Sequence, residues 1–251
     1  MIDEKPEEAG ALTPAVPKVG DTIAAPNARW TFGGDVAQHF EQHIERSVPC
    51  YREGHEIAAA LSDFFLYDGA VAYELGCSTG ALSRRLAERN AAKDVRIIGL
   101  EVEEAMVEAA RASCAGLRSV EIREADVVDV DFEPSDLIVS YYTIQFIRPA
   151  RRQQLFDKIY ASLNWGGAFI MFEKVRAPDA RFQDMMSALY VDFKLEQGFE
   201  EREIVHKSRS LKGVLEPFST QGNIDLMRRA GFGDIMTVFK HLCFEGFLAI
   251  K

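Results

Sequence analysis

The sequence predicts an α/β protein in which an open, mostly parallel sheet is covered on both faces by helices. Three observations carry this. Between residues 70 and 174 short apolar runs alternate with helical stretches, the pattern of parallel strands joined by crossovers. The first run, Val71 to Leu75, passes into the loop Gly76-Cys77-Ser78-Thr79-Gly80 and then into a helix at Ala81-Leu82-Ser83. The chain closes with two apolar runs, Ile235 to Phe239 and Leu242 to Ile250, separated by a few residues. Runs that close together pair as antiparallel neighbours.

Taken in order, residues 1–29 are rich in proline, alanine and acidic groups (Pro6, Pro14, Pro17, Pro26, Glu4, Glu7, Glu8). They bury little, so they read as a mobile tail. Order is expected from Trp30-Thr31-Phe32, which makes residues 30–251 the folded domain. Asp35 is placed to start a helix that puts Val36, Phe40 and Ile44 on one face. It stops at Ser47-Val48, since Pro49 disfavours helical geometry in the residue before it. A second helix carries Ile57, Leu61, Phe64 and Phe65. The alternation then gives strands at 70–75, 95–101, 118–123, 136–141 and 168–172, with helices at about 80–91, 103–114 and 149–163. It breaks after Lys174. Residues 179–212 are mostly helical and charged, long enough for a lid or a partner-binding arm. A helix at about 220–230 follows, with Gly231 as its C-cap.

Bulk properties exclude several functions. The chain has 251 residues, 47% hydrophobic and 27% charged, enough for a sizeable core. A net charge of −10 repels nucleic acid, and no basic stripe opposes it. No direct nucleic-acid binding is expected. The four cysteines are widely spaced without a CxxC pair, which reads as reduced thiols in the cytoplasm. No apolar run approaches the ~20 residues that span a bilayer, and no signal peptide is visible.

In an open α/β sheet, ligands lie beyond the carboxyl ends of the strands. That rule gathers Glu74, the Gly76–Gly80 loop, Glu101, Asp126 and the stretch from Ser140 to Thr143. Gly76 and Gly80 permit close backbone approach. Ser78 and Thr79 can cap the following helix. Glu101 is placed to accept two ribose hydroxyls, and Asp126 with Val127 to bracket an adenine edge. Tyr141 and Tyr142 flank the reacting group. Plainer readings stand beside these. Glu101 also suits a helix N-terminus, Asp126 suits a turn, and one of two successive strand tyrosines is core or wall. Two cofactors fit a ribose-binding acid here, a nicotinamide dinucleotide and S-adenosylmethionine. The loop lacks the GxGxxG spacing that seats a pyrophosphate, and Glu74 suits an ammonium better than a phosphate. S-adenosylmethionine is therefore favoured.

His39-Phe40-Glu41-Gln42-His43 lacks the HExxH order of a zinc helix, so no metal site is expected. Cys77 is either a reactive loop thiol or a packing residue.

Glu74-Leu75-Gly76-Cys77-Ser78-Thr79-Gly80, Glu101 and the closing antiparallel strands resemble the class I S-adenosylmethionine-dependent methyltransferases. A closer resemblance, over residues 30–251, is to the carboxy-S-adenosyl-L-methionine synthases and their methyltransferase relatives. It is carried by Trp30-Thr31-Phe32, by Arg46 to Tyr51, by Leu75 to Ser78 and by Thr143 to Ile147. Asp157 to Tyr160, Asp192-Phe193-Lys194, Glu203-Ile204 and Lys207 continue it. The resemblance implies a Rossmann-like, mostly parallel seven-stranded sheet with an antiparallel last strand, N-terminal helices and a helical insertion. It implies cofactor contacts from Tyr51, Glu74, Gly76, Cys77, Ser78, Gly80, Glu101, Val102, Asp126, Val127 and Tyr141, with Cys77 as a packing residue. It also implies a homodimer through the helical arm.

The synthases have an arginine shortly after the position of Lys207. It holds the extra carboxylate of their product and comes from the neighbouring subunit. Here Ser208 stands at that position and Arg209 one place along, while Tyr141 replaces an asparagine. These departures favour a methyltransferase using S-adenosyl-L-methionine on a small-molecule acceptor. The alternative the resemblance implies is a prephenate-dependent carboxy-S-adenosyl-L-methionine synthase of tRNA wobble-uridine modification, with carboxy-S-adenosyl-L-methionine in the cofactor site, and a non-catalytic adenosyl-ligand binding protein is a third. Tyr141, Tyr142 and His206 are candidates to orient or deprotonate the acceptor. Lys207 and Arg209 are candidates to hold an acceptor carboxylate, against the plainer reading of a solvated helical face.

Overall fold

A computed structural model describes residues 16–21, 23–33 and 36–251. Its centre is a seven-stranded sheet in the order β5-β4-β3-β6-β7-β9-β8. The strands are β3 (Val71–Leu75), β4 (Arg96–Glu101), β5 (Val120–Glu124), β6 (Ser135–Tyr141), β7 (Leu163–Lys174), β8 (Asp234–His241) and β9 (Phe244–Ile250). The first five run parallel. Only β9 is reversed, pairing antiparallel with β7 and β8. Strand order reverses between β3 and β6, so a crevice opens above that point.

The central strands are apolar because both faces are covered. One face packs Ala72, Ile97, Leu137, Val139, Ile170 and Phe172 under α2 (Tyr51–Ser62) and α3 (Ala81–Arg89). The other packs Tyr73, Leu75, Ile98, Ile138, Phe169 and Phe247 under α5 (Pro149–Ser162) and α8 (Thr220–Ala230). Burying each large aliphatic or aromatic side chain contributes roughly 1.5–3 kcal/mol. α8 begins at Ser219, whose hydroxyl accepts the Gly222 N–H, and ends at Gly231 with φ 123°.

Several boundaries differ from the sequence reading. α2 ends at Ser62, so Phe64 and Phe65 lie beyond it, and it starts at Tyr51, after Cys50 takes a left-handed conformation, φ 55°, that redirects the chain past Pro49. The expected start of α1 at Asp35 lies outside the described residues, and α1 is described over Val36–Ser47. Gly80, not Ser78 or Thr79, is the N-cap of α3, with no side-chain cap. The Thr79 hydroxyl instead donates to Glu41.

The larger correction concerns the expected tail, of which residues 1–15 lie outside the described residues. Lys18–Gly20 (β1) and Ile23–Ala24 (β2) form an antiparallel hairpin, and Val19, Ile23, Ala25 and Trp30 are buried. The hairpin lies against α7 (Glu201–Ser210). The Ala28 and Trp30 N–H groups donate to the carbonyls of Arg209 and Ser210 at 2.9 and 3.2 Å. At the hairpin turn Asp21 pairs with His43 and Arg46 of α1. Four buried apolar side chains and two backbone bonds outweigh the polar composition. The helical stretch at 179–212 is two helices, α6 (Ala180–Glu196) and α7.

Candidate functional site

A cavity of about 930 Å³ lies over the carboxyl ends of the parallel strands. Five strand ends form its floor: Gly76 to Thr79 after β3, Val102-Glu103 after β4, Ala125 to Val128 after β5, Tyr142-Thr143 after β6 and Val175-Arg176 after β7. Trp30, α1, α2, α6 and α7 supply the remaining walls. The segment at Trp30 and the helical arm therefore meet over the sheet from opposite ends of the chain.

The β3–β4 end is acidic and tightly built. The Glu101 carboxylate accepts the Ser78 N–H at 2.9 Å with one oxygen and the Val102 and Glu103 N–H groups at 2.8 and 3.1 Å with the other. It thus locks the glycine loop to the end of β4, a second job beside any ribose contact. Glu74 is buried and accepts the Ser83 hydroxyl. Burial pushes its pKa up to about 8, against the lowering effect of Ser83. A cationic ligand group would restore its charge. Gly76 has φ 72°, and a Cβ there would lie 2.5 Å from the Thr143 side chain. Gly80 has φ 80° and faces Ala110 and Cys114. Burial drives the Cys77 thiol pKa upward, and Cys77 packs against Gly99; this is the packing reading. Val102 is exposed. Asp126 accepts the Val128 N–H at 2.9 Å as a turn residue, with Asp126 and Val127 both on the cavity wall.

The centre is aromatic. Tyr51, Tyr141 and Tyr142 pack edge-on or stacked at 4.7–6.4 Å between ring centroids. The Tyr141 hydroxyl donates to the Tyr51 carbonyl at 2.6 Å, and burial drives its pKa up. Tyr141 is therefore a wall residue rather than a base. Burial also drives the Tyr142 pKa well up, so it is no base either, but it differs in two respects: φ is 59°, uncommon for a bulky side chain, and its buried hydroxyl has no hydrogen-bond partner among the described residues. Of the two tyrosines, Tyr142 has the free polar group.

The opposite end is basic. Lys174 from the end of β7, Lys194 from α6 and Lys207 from α7 line it, the first partly buried and the other two buried. Lys174 Nζ sits 3.9 Å from the Tyr190 ring centroid, Lys194 Nζ 5.0 Å from the same ring, and Lys207 Nζ 2.7 Å from the Trp30 ring. Burial lowers all three pKa values, and that of Lys194 falls to about 7.

Three expected site residues are not brought to the lining of this cavity: Gly80, His206 and Arg209. Gly80 caps α3 and faces Ala110 and Cys114 instead. His206 and Arg209 face away from it. His206 Nδ1 lies 3.2 Å from the Lys18 carbonyl, and the Arg209 side chain is exposed. Helical geometry explains the split, because successive residues on α7 point about 100° apart. Lys207 and Ser208 face the cavity while their neighbours face the hairpin and solvent. Sequence reasoning missed Lys174, Lys194, Trp30 and Tyr190. Lys174 follows the strand-end rule that found the others. Lys194 stands in a charged helix without periodicity, and the family resemblance that includes it assigned it no site role.

Comparison with known proteins sets this geometry in context. Residues 72–167 match a family described as a methyltransferase domain. A carboxy-S-adenosyl-L-methionine synthase of Sulfurimonas denitrificans is 37% identical over 224 residues, covering 89% of this chain and 95% of that protein. One from Campylobacter jejuni subsp. doylei is 39% identical over 228 residues, covering 90% and 96%. This chain belongs to the carboxy-S-adenosyl-L-methionine synthase family. Among solved structures, the pyocyanin biosynthetic protein PhzM aligns with TM-score 0.62 and 18% identity, over 86% of this chain and 58% of that one. The S-adenosylmethionine-dependent methyltransferase SibL aligns with TM-score 0.58 and 17% identity, over 80% and 55%. These structural likenesses show the fold, that of the S-adenosylmethionine-dependent methyltransferases. The protein is thus an enzyme of a transferase family on this fold. Among the described residues, no group of three or more His, Cys, Asp or Glu side chains is placed to hold a metal ion, and no helix is long and apolar enough to cross a membrane.

Proposed function

We propose that the enzyme transfers the methyl group of S-adenosyl-L-methionine to a small-molecule acceptor. The observation that carries this is the polarity of one cavity. Its β3–β5 end presents Glu74, Glu101 and Asp126, and its β7 end presents Lys174, Lys194 and Lys207. A cofactor bearing an ammonium, a sulfonium and a ribose suits the acidic end: Glu74 for the ammonium, Glu101 for the hydroxyls, and the Gly76 loop for close approach. When bound, that cofactor supplies the methyl group; the chain's part is to hold the acceptor in line with it and exclude water. Tyr142, with its unpartnered hydroxyl, is the residue we assign to orienting the acceptor.

A second reading, carboxy-S-adenosyl-L-methionine synthesis, is favoured by the relatives' names and by identity across nearly the whole chain. Against it, Ser208 lines the cavity of its own chain and Arg209 lies on the outer surface. For Arg209 to act in this reading it must reach a partner's cavity. A homodimer is also our proposal, through the exposed apolar side chains Phe182, Met185, Leu189 and Leu195 of α6 and Val205 of α7. Mass spectrometry of the ligand that copurifies separates the two reactions. S-adenosylhomocysteine, the demethylated product, supports methyl transfer; a species heavier than S-adenosylmethionine by one CO₂ supports the synthase.

A further inference from the structure

Lys174, Lys194 and Lys207 come from three different elements and meet at one end of the cavity. Burying a single ammonium is costly unless it gains a partner, and here three are gathered. The resting contacts of Lys174 and Lys194 are ring faces: Tyr190 and Phe244 for the first, Tyr190 and Phe199 for the second. The Lys174 charge lowers the proton affinity of Lys194, and the Lys194 charge lowers that of Lys207, where the field of Asp21 offsets it. Such an arrangement is unfavourable for the empty fold and becomes favourable when an anion enters. A second, independent feature lies close by. The Tyr142 hydroxyl is buried without a partner, and its ring packs 5.7 Å from Phe244, which itself packs 5.3 Å from Tyr190. Rings and aliphatic lysine stems surround the charged groups, so a fully hydrated ion would gain charge contacts yet waste the apolar wall.

We propose that this end of the cavity is a subsite for the carboxylate of an acceptor with an apolar, preferably aromatic, body. The carboxylate sits among Lys174, Lys194 and Lys207, and the body lies against Tyr190, Phe244 and Tyr142. The assignment rests on the methyl-transfer reading and narrows it to a substrate class. Of the two residues the sequence offered for an acceptor carboxylate, it keeps Lys207, drops Arg209, and adds Lys174 and Lys194.

Trp30 makes the subsite observable. Its ring is in contact with the Lys207 ammonium, while the second tryptophan, Trp165, is 88% exposed and stands apart from the cavity lining. The test titrates the full-length Trp165→Phe protein with sodium benzoate, sodium acetate and sodium phosphate at constant ionic strength, following Trp30 fluorescence. The expected result is a saturable change with benzoate, with acetate and phosphate each weaker by about tenfold or more, the scale of one lost charge-assisted or apolar contact. Lys194→Met in the same background should weaken benzoate by about tenfold or more, while melting at a higher temperature than its parent without benzoate. A merely structural lysine would not give both. The absence of a saturable response, an unchanged benzoate affinity in Lys194→Met, or phosphate binding as tightly as benzoate overturns the proposal. Titration of S-adenosylhomocysteine on the same samples keeps the two claims apart. Its binding without benzoate binding defeats the subsite alone, and its failure to bind defeats the underlying reading.

Discussion

Gly76 and Thr143 fit together so closely that a Cβ on the glycine would lie 2.5 Å from both Cγ2 and Oγ1 of the threonine. The contact joins the loop after β3 to the segment after β6, the two edges of the crevice. Gly76 also has φ 72°. Gly76→Ala therefore carries both a backbone and a steric penalty, and it should cost about 1–3 kcal/mol of stability. Adding Thr143→Ala removes the two closest atoms and should recover part of that loss but not the backbone part. Urea unfolding of the parent and the two variants checks this; a Gly76→Ala protein as stable as the parent would mean the loop is not held as described.

His55 gives a pH prediction. It is buried against the rings of Tyr51 and Tyr141 at 4.6 and 4.4 Å. Burial, followed by the Arg85 charge, lowers its pKa to about 3 from an ordinary 6.5. The unfolded chain thus binds a proton that the folded chain refuses. Stability from this group is complete above pH 6.5 and is lost as pH falls toward 3, amounting to about 2 kcal/mol by pH 5. His43, lowered to about 4 chiefly by burial, acts in the same direction. Urea midpoints measured from pH 7.5 down to about 5 should fall less steeply in His55→Phe than in the parent, whatever the variant's own baseline. Parallel slopes would refute the assignment.

The exposed apolar face of the helical arm predicts an assembly state. Leu189 is 46% exposed on α6, beside Met185 and Phe182 one and two turns earlier. A charge placed there should oppose burial against a second copy. Light scattering after gel filtration should give a dimer mass for the parent and a monomer mass for Leu189→Asp. A monomeric parent, or a dimeric variant, would count against this face as the interface.

Much of the sheet was legible because its signals are local. Strand β3, its glycine loop and helix α3 are contiguous in sequence, and the apolar runs of β4, β6 and β7 announce buried parallel strands. The antiparallel closing pair followed from the short gap between two apolar runs. What escaped is what distant segments decide. Val19 and Ile23 sit in a proline-rich stretch whose composition reads as a tail; only α7, far along the chain, gives them something to pack against. Cys50 takes a left-handed turn that no residue-type rule requires, and it sets the start of α2. On α7 the sequence offered His206, Lys207 and Arg209 together, although one helical face admits only the second. Lys194 became meaningful only when α6 brought it beside Lys174.

Glu101 bears on the central claim, that the glycine-loop end of the cavity holds an adenosyl cofactor. Its carboxylate already organises the loop through Ser78, Val102 and Glu103, so the test needs a folding control. Isothermal titration of S-adenosylhomocysteine into the parent and into Glu101→Ala, with melting curves of both proteins, is the most direct measurement. The parent should bind one ligand per chain, and the folded variant should bind about tenfold or more weaker, as expected for losing hydrogen bonds to a charged group. A parent that does not bind, or a Glu101→Ala protein of equal affinity, would contradict the account.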